Sequence, residues 1–205
     1  MTPRRRLSHR VPRIALACSF VLPLLFSSPA LAGPITIGDW LEFGFSDAGT
    51  PATGCDPADP AGPFCVPSSG TPSSFLDAPP WTFTAPVDGA TLTVTDAFLS
   101  GDRFELFDFG VSLGFTSLPA AASTVDCGDD PAACLATAGI SSGLFILAAG
   151  NHSLTLIPTL SPTEGGTGYL RVDAGAATAV PEPATWLLVT TGLLVSRIRR
   201  QRRDL

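Results

Sequence analysis

Between Ile35 and Val172 the apolar positions recur every second residue in short runs. Trp81-Thr82-Phe83-Thr84 and Leu92-Thr93-Val94-Thr95 alternate apolar residues with threonine, the period that turns one face of a strand to a core and the other to solvent. Pro86-Val87-Asp88-Gly89 between them has turn chemistry, so the two segments are predicted to pair as a hairpin. Ile35 to Phe45 alternates more loosely and predicts a strand with a bulge or break near Gly38-Asp39. Phe98-Leu99 leads to the turn Ser100-Gly101-Asp102, after which Phe104, Leu106 and Phe107 to Phe109 continue as strand, and a further strand is predicted over Val111 to Thr116 behind Gly110. Gly143 to Ala148 and His152 to Ile157 read as a second hairpin across Gly150-Asn151, and Tyr169 to Val172 as a closing strand. Thr50 to Pro80 holds eight prolines and reads as one long loop. The Ala-rich Pro131 to Ala138 allows a turn or two of helix. About eight strands, with turn signals roughly every 8 to 12 residues, predict an all-β, antiparallel β-sandwich or jelly-roll-like domain.

The two ends of the sequence follow a different pattern. Arg4, Arg5, Arg6, Arg10 and Arg13 precede the apolar run Ile14 to Phe26, and Ala30-Leu31-Ala32 stands before Gly33. A basic, then apolar, then small-residue order is that of a cleaved secretory signal peptide, here residues 1–32. The residues after Arg4-Arg5 do not fit twin-arginine export, and Cys18 stands in no lipobox, so general secretion is expected. At the other end, Val180-Pro181-Glu182-Pro183 leads into the apolar run Ala184 to Ser196, followed by Arg197, Arg199, Arg200, Arg202 and Arg203. Thirteen residues as helix rise about 20 Å, short of the roughly 30 Å hydrocarbon core. The arginines cannot enter hydrocarbon, but their long stems can snorkel to the cytoplasmic interface and lengthen the span. A single short transmembrane helix with its C-terminus inside is therefore expected. The rival, a buried terminal helix of a soluble domain, would show polar periodicity that this run lacks.

Pro-Glu-Pro, a short apolar helix and a terminal arginine cluster, in that order, resemble the PEP-CTERM sorting tail of exported bacterial proteins. The resemblance covers residues 180–205, about an eighth of the chain. It implies transient anchoring in the inner membrane, processing near the Pro-Glu-Pro by an exosortase, and delivery to the cell surface or its extracellular polysaccharide matrix. The chain then divides into a signal peptide (1–32), an exported domain (33–179) and a sorting tail (180–205). The stretch Thr95 to Leu106, with its Gly-Asp turn before a Phe-rich strand, is also similar to the bodies of many such proteins and to jelly rolls of the galactose-binding type.

Charge separates the domain from its targeting segments. Ten of the 12 basic residues lie in those segments, whereas residues 33–179 hold two arginines against 16 acids, a net charge of −14, and no lysine. Phosphate binding needs cationic partners, so a nucleic-acid role is excluded. Cys55, Cys65, Cys127 and Cys134 form an even set in an exported chain and read as disulfides. Three pairings are possible, and closeness in sequence favours Cys55 with Cys65 and Cys127 with Cys134. Zinc is the rival, but the spacings are not those of Cys-x-x-Cys pairs.

Candidate chemistry is sparse. Gly139-Ile140-Ser141-Ser142-Gly143 has the nucleophile-elbow spacing, yet a Cys loop precedes it and a strand follows, where an elbow needs a strand and then a helix. Its only available base would be His152. Asp96, Asp102, Glu105 and Asp108 offer paired carboxylates for glycosidase chemistry, but without flanking cleft aromatics they read as solvated surface. Asp126, Asp129 and Asp130 crowd a Cys-closed loop, and hard cations favour several oxygens there, so calcium is a candidate ligand. Arg103 and Arg171 are expected to pair with nearby acids. Trp40 and Trp81 are candidate sugar-stacking residues whose place in strands argues for the core. Asn151-His152-Ser153 fits a glycosylation acceptor. The sequence thus predicts a non-enzymatic surface or matrix protein with a structural or adhesive role, with a carbohydrate-binding module as the alternative.

Overall fold

The computed structural model describes residues 33–175. The expected signal peptide, the transmembrane helix and the sorting tail lie outside the described residues. Ten strands and one helix follow in order: β1 (Gly33–Pro34), β2 (Trp40–Phe45), β3 (Ser73–Phe75), β4 (Trp81–Ala85), β5 (Ala90–Asp96), β6 (Arg103–Asp108), β7 (Val111–Phe115), α1 (Pro131–Ala136), β8 (Ser142–Leu147), β9 (Gly150–Leu160) and β10 (Gly166–Ala174). They form two five-stranded sheets, ordered β1-β4-β9-β6-β7 and β3-β2-β10-β5-β8. Only β1 with β4 and β2 with β3 pair in parallel; every other pair is antiparallel.

The pairing follows a single rule. Outgoing strands β2, β4, β5 and β6 meet returning strands β10, β9, β8 and β7 respectively, and successive pairs fall in alternate sheets. The pairs β10 with β5 and β9 with β6 then complete each sheet. This corrects both predicted hairpins that flank the core. β4 does not pair with β5, nor β8 with β9; each couple is split between the two sheets. The reason lies in what the strands bury. Trp81, Phe83 and Ala85 of β4 and Ala90, Leu92 and Val94 of β5 enter one core, and in facing sheets they cover each other from opposite sides. The Pro86-to-Gly89 turn, closed by Gly89 N–H donating to the Pro86 carbonyl (2.8 Å), therefore acts as an arch. The β8-to-β9 link runs beside it: a Cβ on Gly89 (φ +77°) would lie 2.5 Å from the Leu147 carbonyl oxygen. The hairpin of β6 with β7 is real, with a register shift between Leu106 and Phe107.

The loosely alternating stretch from Ile35 is not one strand. Its strand portion is β2 alone; Ile35 N–H bonds to Thr82 O of β4 in the first sheet (2.8 Å) and Gly38 N–H to Val172 O of β10 in the second (2.7 Å), so the chain changes sheet at the expected break near Gly38. At the core's centre Phe104 packs edge-on to Phe43 (5.6 Å between centroids, 83°) and Phe45 (5.0 Å, 75°), the orientation that the ring quadrupoles favour. Trp81 is fully buried beside them, its indole N–H donating to the Asp77 carbonyl (2.9 Å). The proline-rich loop folds over the outer face of β2. A Cβ on Gly44, in the outward phase of β2, would collide with Pro63 of the loop. Ala52 N–H bonds to Leu156 O of β9 in the other sheet (2.8 Å), Leu76 N–H to Glu42 O (2.9 Å), and β3 adds a short strand along the edge of β2 that the sequence reading left as loop. α1 starts at Pro131, with the Asp130 carboxylate accepting from Ala132 N–H, a common helix-start arrangement. Among the described residues no helix is long and apolar enough to cross a membrane.

Candidate functional site

Val180, Pro181, Glu182 and Pro183, and the cluster Arg197, Arg199, Arg200, Arg202 and Arg203, lie outside the described residues. Within them the cysteines join Cys55 to Cys65 and Cys127 to Cys134. Among the described residues one group of metal-ligating types converges within 4.8 Å, Glu42 with Cys55 and Cys65. Both sulfurs belong to the disulfide and are not thiolate donors.

The acids of the second Cys loop are each engaged separately. Asp126 accepts from Gly128 N–H (2.9 Å), Asp129 from the Ser69 hydroxyl, and Asp130 from Ala132 N–H (2.9 Å) as the cap of α1. Asp130 is held below the usual carboxylate range, chiefly by a hydrogen bond from Thr71. Ser141 is fully buried and bound to its surroundings, with Thr116 Oγ1 at 2.6 Å and the Ser117 carbonyl at 2.7 Å. These bonds tie the start of β8 to the chain after β7. An elbow serine stands exposed above its sheet, and this one does not.

His152 is engaged elsewhere. Its Nδ1 lies 2.7 Å from Asp108 Oδ2 and its Nε2 2.9 Å from the Ala148 carbonyl, while its ring stacks on Phe83 (5.0 Å, 23°). With both ring nitrogens occupied, His152 is no base for Ser141. It sits instead in the wall of a shallow depression of about 420 Å³, lined by Thr82, Thr84, Phe109, Asn151 and Ser153 among others. Thr84 and Asn151 bridge its floor (2.8 Å) and Phe109 is two-thirds exposed at its rim. The depression offers hydroxyl, amide and aromatic groups side by side. Trp40 and Trp81 contribute no such surface, being 4% and 0% exposed.

The arginines are also committed. Arg171 Nε bonds to Asp173 Oδ2 (2.8 Å) and its guanidinium lies over Trp40. Among the described residues Arg103 finds no acid: its Nε donates to the Thr116 carbonyl (3.1 Å) and the group stacks over Phe115.

The buried acids are the feature that sequence reasoning missed. Asp96 and Asp102, expected on a solvated surface, are 0% and 5% exposed. Asp96 follows Leu92 and Val94 in the inward phase of β5, a signal that the period-2 rule contains. Its Oδ1 accepts from Ala97 N–H (2.9 Å), and among the described residues Oδ2 has no hydrogen-bond partner. Asp102 Oδ1 and Ser161 Oγ are likewise buried without a hydrogen bond of ordinary geometry. Burial, with repulsion from Asp102, pushes Asp96 up to about 8; burial pushes Asp102 up to about 6, although the adjacent Ser161 hydroxyl favours its ionised form. Glu42 is buried on the outer face of the second sheet with neither carboxylate oxygen bonded. Burial and then Asp129 push it up to about 7. Compared with known proteins, the chain matches no family model, no curated protein and no solved structure.

Proposed function

We propose that the chain is an exported surface or extracellular-matrix protein with a structural or adhesive role, carried through the inner membrane by its signal peptide and sorted by an exosortase acting on the 180–205 tail. The pairing of all four domain cysteines in two disulfides carries the reading, because such bonds form and persist in oxidising compartments outside the cytoplasm. The −14 charge of residues 33–179 suits a soluble body held away from anionic lipid. The tail supplies the anchor: its short apolar run spans the membrane once and its arginines hold the cytoplasmic end. Cell fractionation tests this. In a host with its exosortase the protein leaves the inner membrane for the surface or matrix, and in a host lacking it the protein stays in the membrane. Equal distribution in both strains removes the exosortase from the account.

A second reading is a carbohydrate-binding module of jelly-roll type. Two observations favour it: the outgoing and returning strands pair as a long ribbon wrapped between two sheets, as in a jelly roll, and the Phe109–Asn151 depression joins an aromatic rim to hydrogen-bonding groups. Saturable binding on a glycan array that Asn151→Ala or Phe109→Ala abolishes supports this module. Absence of binding to every glycan removes it.

A further inference from the structure

We propose that the domain binds one calcium ion between the carboxylates of Asp96 and Asp102, beside the Ser161 hydroxyl, at the end of the sandwich where the chain crosses from β5 to β6. Three elements bring these oxygens together. Asp96 is the last residue of β5, Asp102 immediately precedes β6, and Ser161 immediately follows β9. The pairing of β6 with β9 places Arg103 opposite Leu160, so the next residue outward on each strand, Asp102 and Ser161, lies at the same end. Asp102 lies close enough to Asp96 for its charge to raise the Asp96 pKa, which places the two acids beside each other.

Unmatched charge carries the argument. Asp96 is 0% exposed with Oδ2 unbonded, and Asp102 is 5% exposed with Oδ1 unbonded. A buried carboxylate is tolerated when it is paired, protonated or bound to a metal. The domain's own cations are spoken for: Arg171 by Asp173, Arg103 by the Thr116 carbonyl and Phe115, and His152 by Asp108. That leaves a proton or a cation from outside. A proton on one acid can be donated to the other and so competes with a cation, but it neutralises only one of the two charges. A cation satisfies Asp96 Oδ2, Asp102 Oδ1 and Ser161 Oγ at once. Oxygen donors drawn from three separate segments suit calcium, which accepts irregular sets of six to eight oxygens, better than magnesium, which demands a near-ideal octahedron. A depression of about 220 Å³, lined by Phe98, Asp102, Gly165 and Thr167 among others, gives solvent access to the Asp102 side.

The test uses the full chain, stripped with a chelator at pH 8 and titrated with calcium chloride in a calorimeter, followed by thermal unfolding with and without the metal. The expected result is one calcium per chain, with a dissociation constant on the order of 10⁻⁴ to 10⁻³ M as in extracellular modules. With calcium about fifty-fold above that constant, Tm rises roughly 5–10 °C, and magnesium at the same concentration reproduces little of the rise. Asp96→Asn and Asp102→Asn each abolish the uptake and the shift, while Asp126→Asn keeps both. Should either carboxylate variant fail to fold, Ser161→Ala, which leaves both acids in place, is expected to weaken binding about tenfold. Absence of uptake by the wild-type chain, uptake that survives Asp96→Asn, unaltered affinity in Ser161→Ala, or uptake lost only in Asp126→Asn overturns the proposal.

Discussion

Replacing Glu42 by glutamine should remove a pH-dependent weakness from the domain. Glu42 faces outward from β2, opposite Tyr169 of β10, with the Cys55–Cys65 disulfide within 4.8 Å of its carboxylate. Burial there, reinforced by Asp129, raises its pKa from 4.5 to about 7. Between those values the folded chain binds more protons than the unfolded one, so stability falls as pH rises. The contribution is fully present below about pH 4.5 and is lost as pH passes through about 7. The full displacement corresponds to about 3 kcal/mol. Glutamine keeps the shape of the protonated acid and cannot ionise. Glu42→Gln and wild type should therefore unfold at nearly the same temperature at pH 4, and at pH 8 the variant should be more stable by up to about 3 kcal/mol, or roughly 10 °C in Tm for a domain of this size. Thermal unfolding from pH 4 to 8, at one fixed calcium concentration for both proteins, measures the difference. Contributions from Asp96 and Asp102 are common to both and cancel. Parallel stability curves, or a variant weaker than wild type at pH 8, would refute the claim that Glu42 is buried as an uncompensated acid.

Phe104→Ala removes the ring on which Phe43 and Phe45 pack and should cost about 3–5 kcal/mol in urea unfolding. Ser141→Ala strips the buried bonds to Thr116 and Ser117; it should cost about 1–3 kcal/mol with no ester turnover to lose, and measurable hydrolysis by the wild type that the substitution abolishes would reverse the assignment. Serine at both Cys127 and Cys134 opens a loop of sequence separation 7 and should cost about 2–3 kcal/mol by chain entropy, read from the denaturant midpoint under non-reducing conditions.

The alternating runs and turn residues carried the strand positions from Trp81 onward, because a strand with one buried face writes its period into the sequence. They did not carry the partners. Pro86 to Gly89 satisfies either a hairpin or an arch, and the choice depends on whether Trp81 and Leu92 lie beside each other or face each other across a core. β3 was hidden because its three residues, Ser73 to Phe75, are half-buried or exposed and carry no apolar repeat of their own. The acids divide in the same way. Asp96 stands in the inward phase of β5 and was legible there, whereas Glu42 stands in the outward phase of β2 and is buried only because the proline-rich loop folds over it. Asp102 lies in a turn without phase, so its burial follows from the tertiary fold alone.

The most direct test of the sorting account is the intact mass of the protein recovered from the cell surface or matrix of its own host. The account predicts a chain that has lost residues 1–32 and the residues beyond the Pro181-Glu182-Pro183 region, with both disulfides formed. A surface chain that still carries the apolar run and its arginines would contradict it and would make this a membrane-anchored domain.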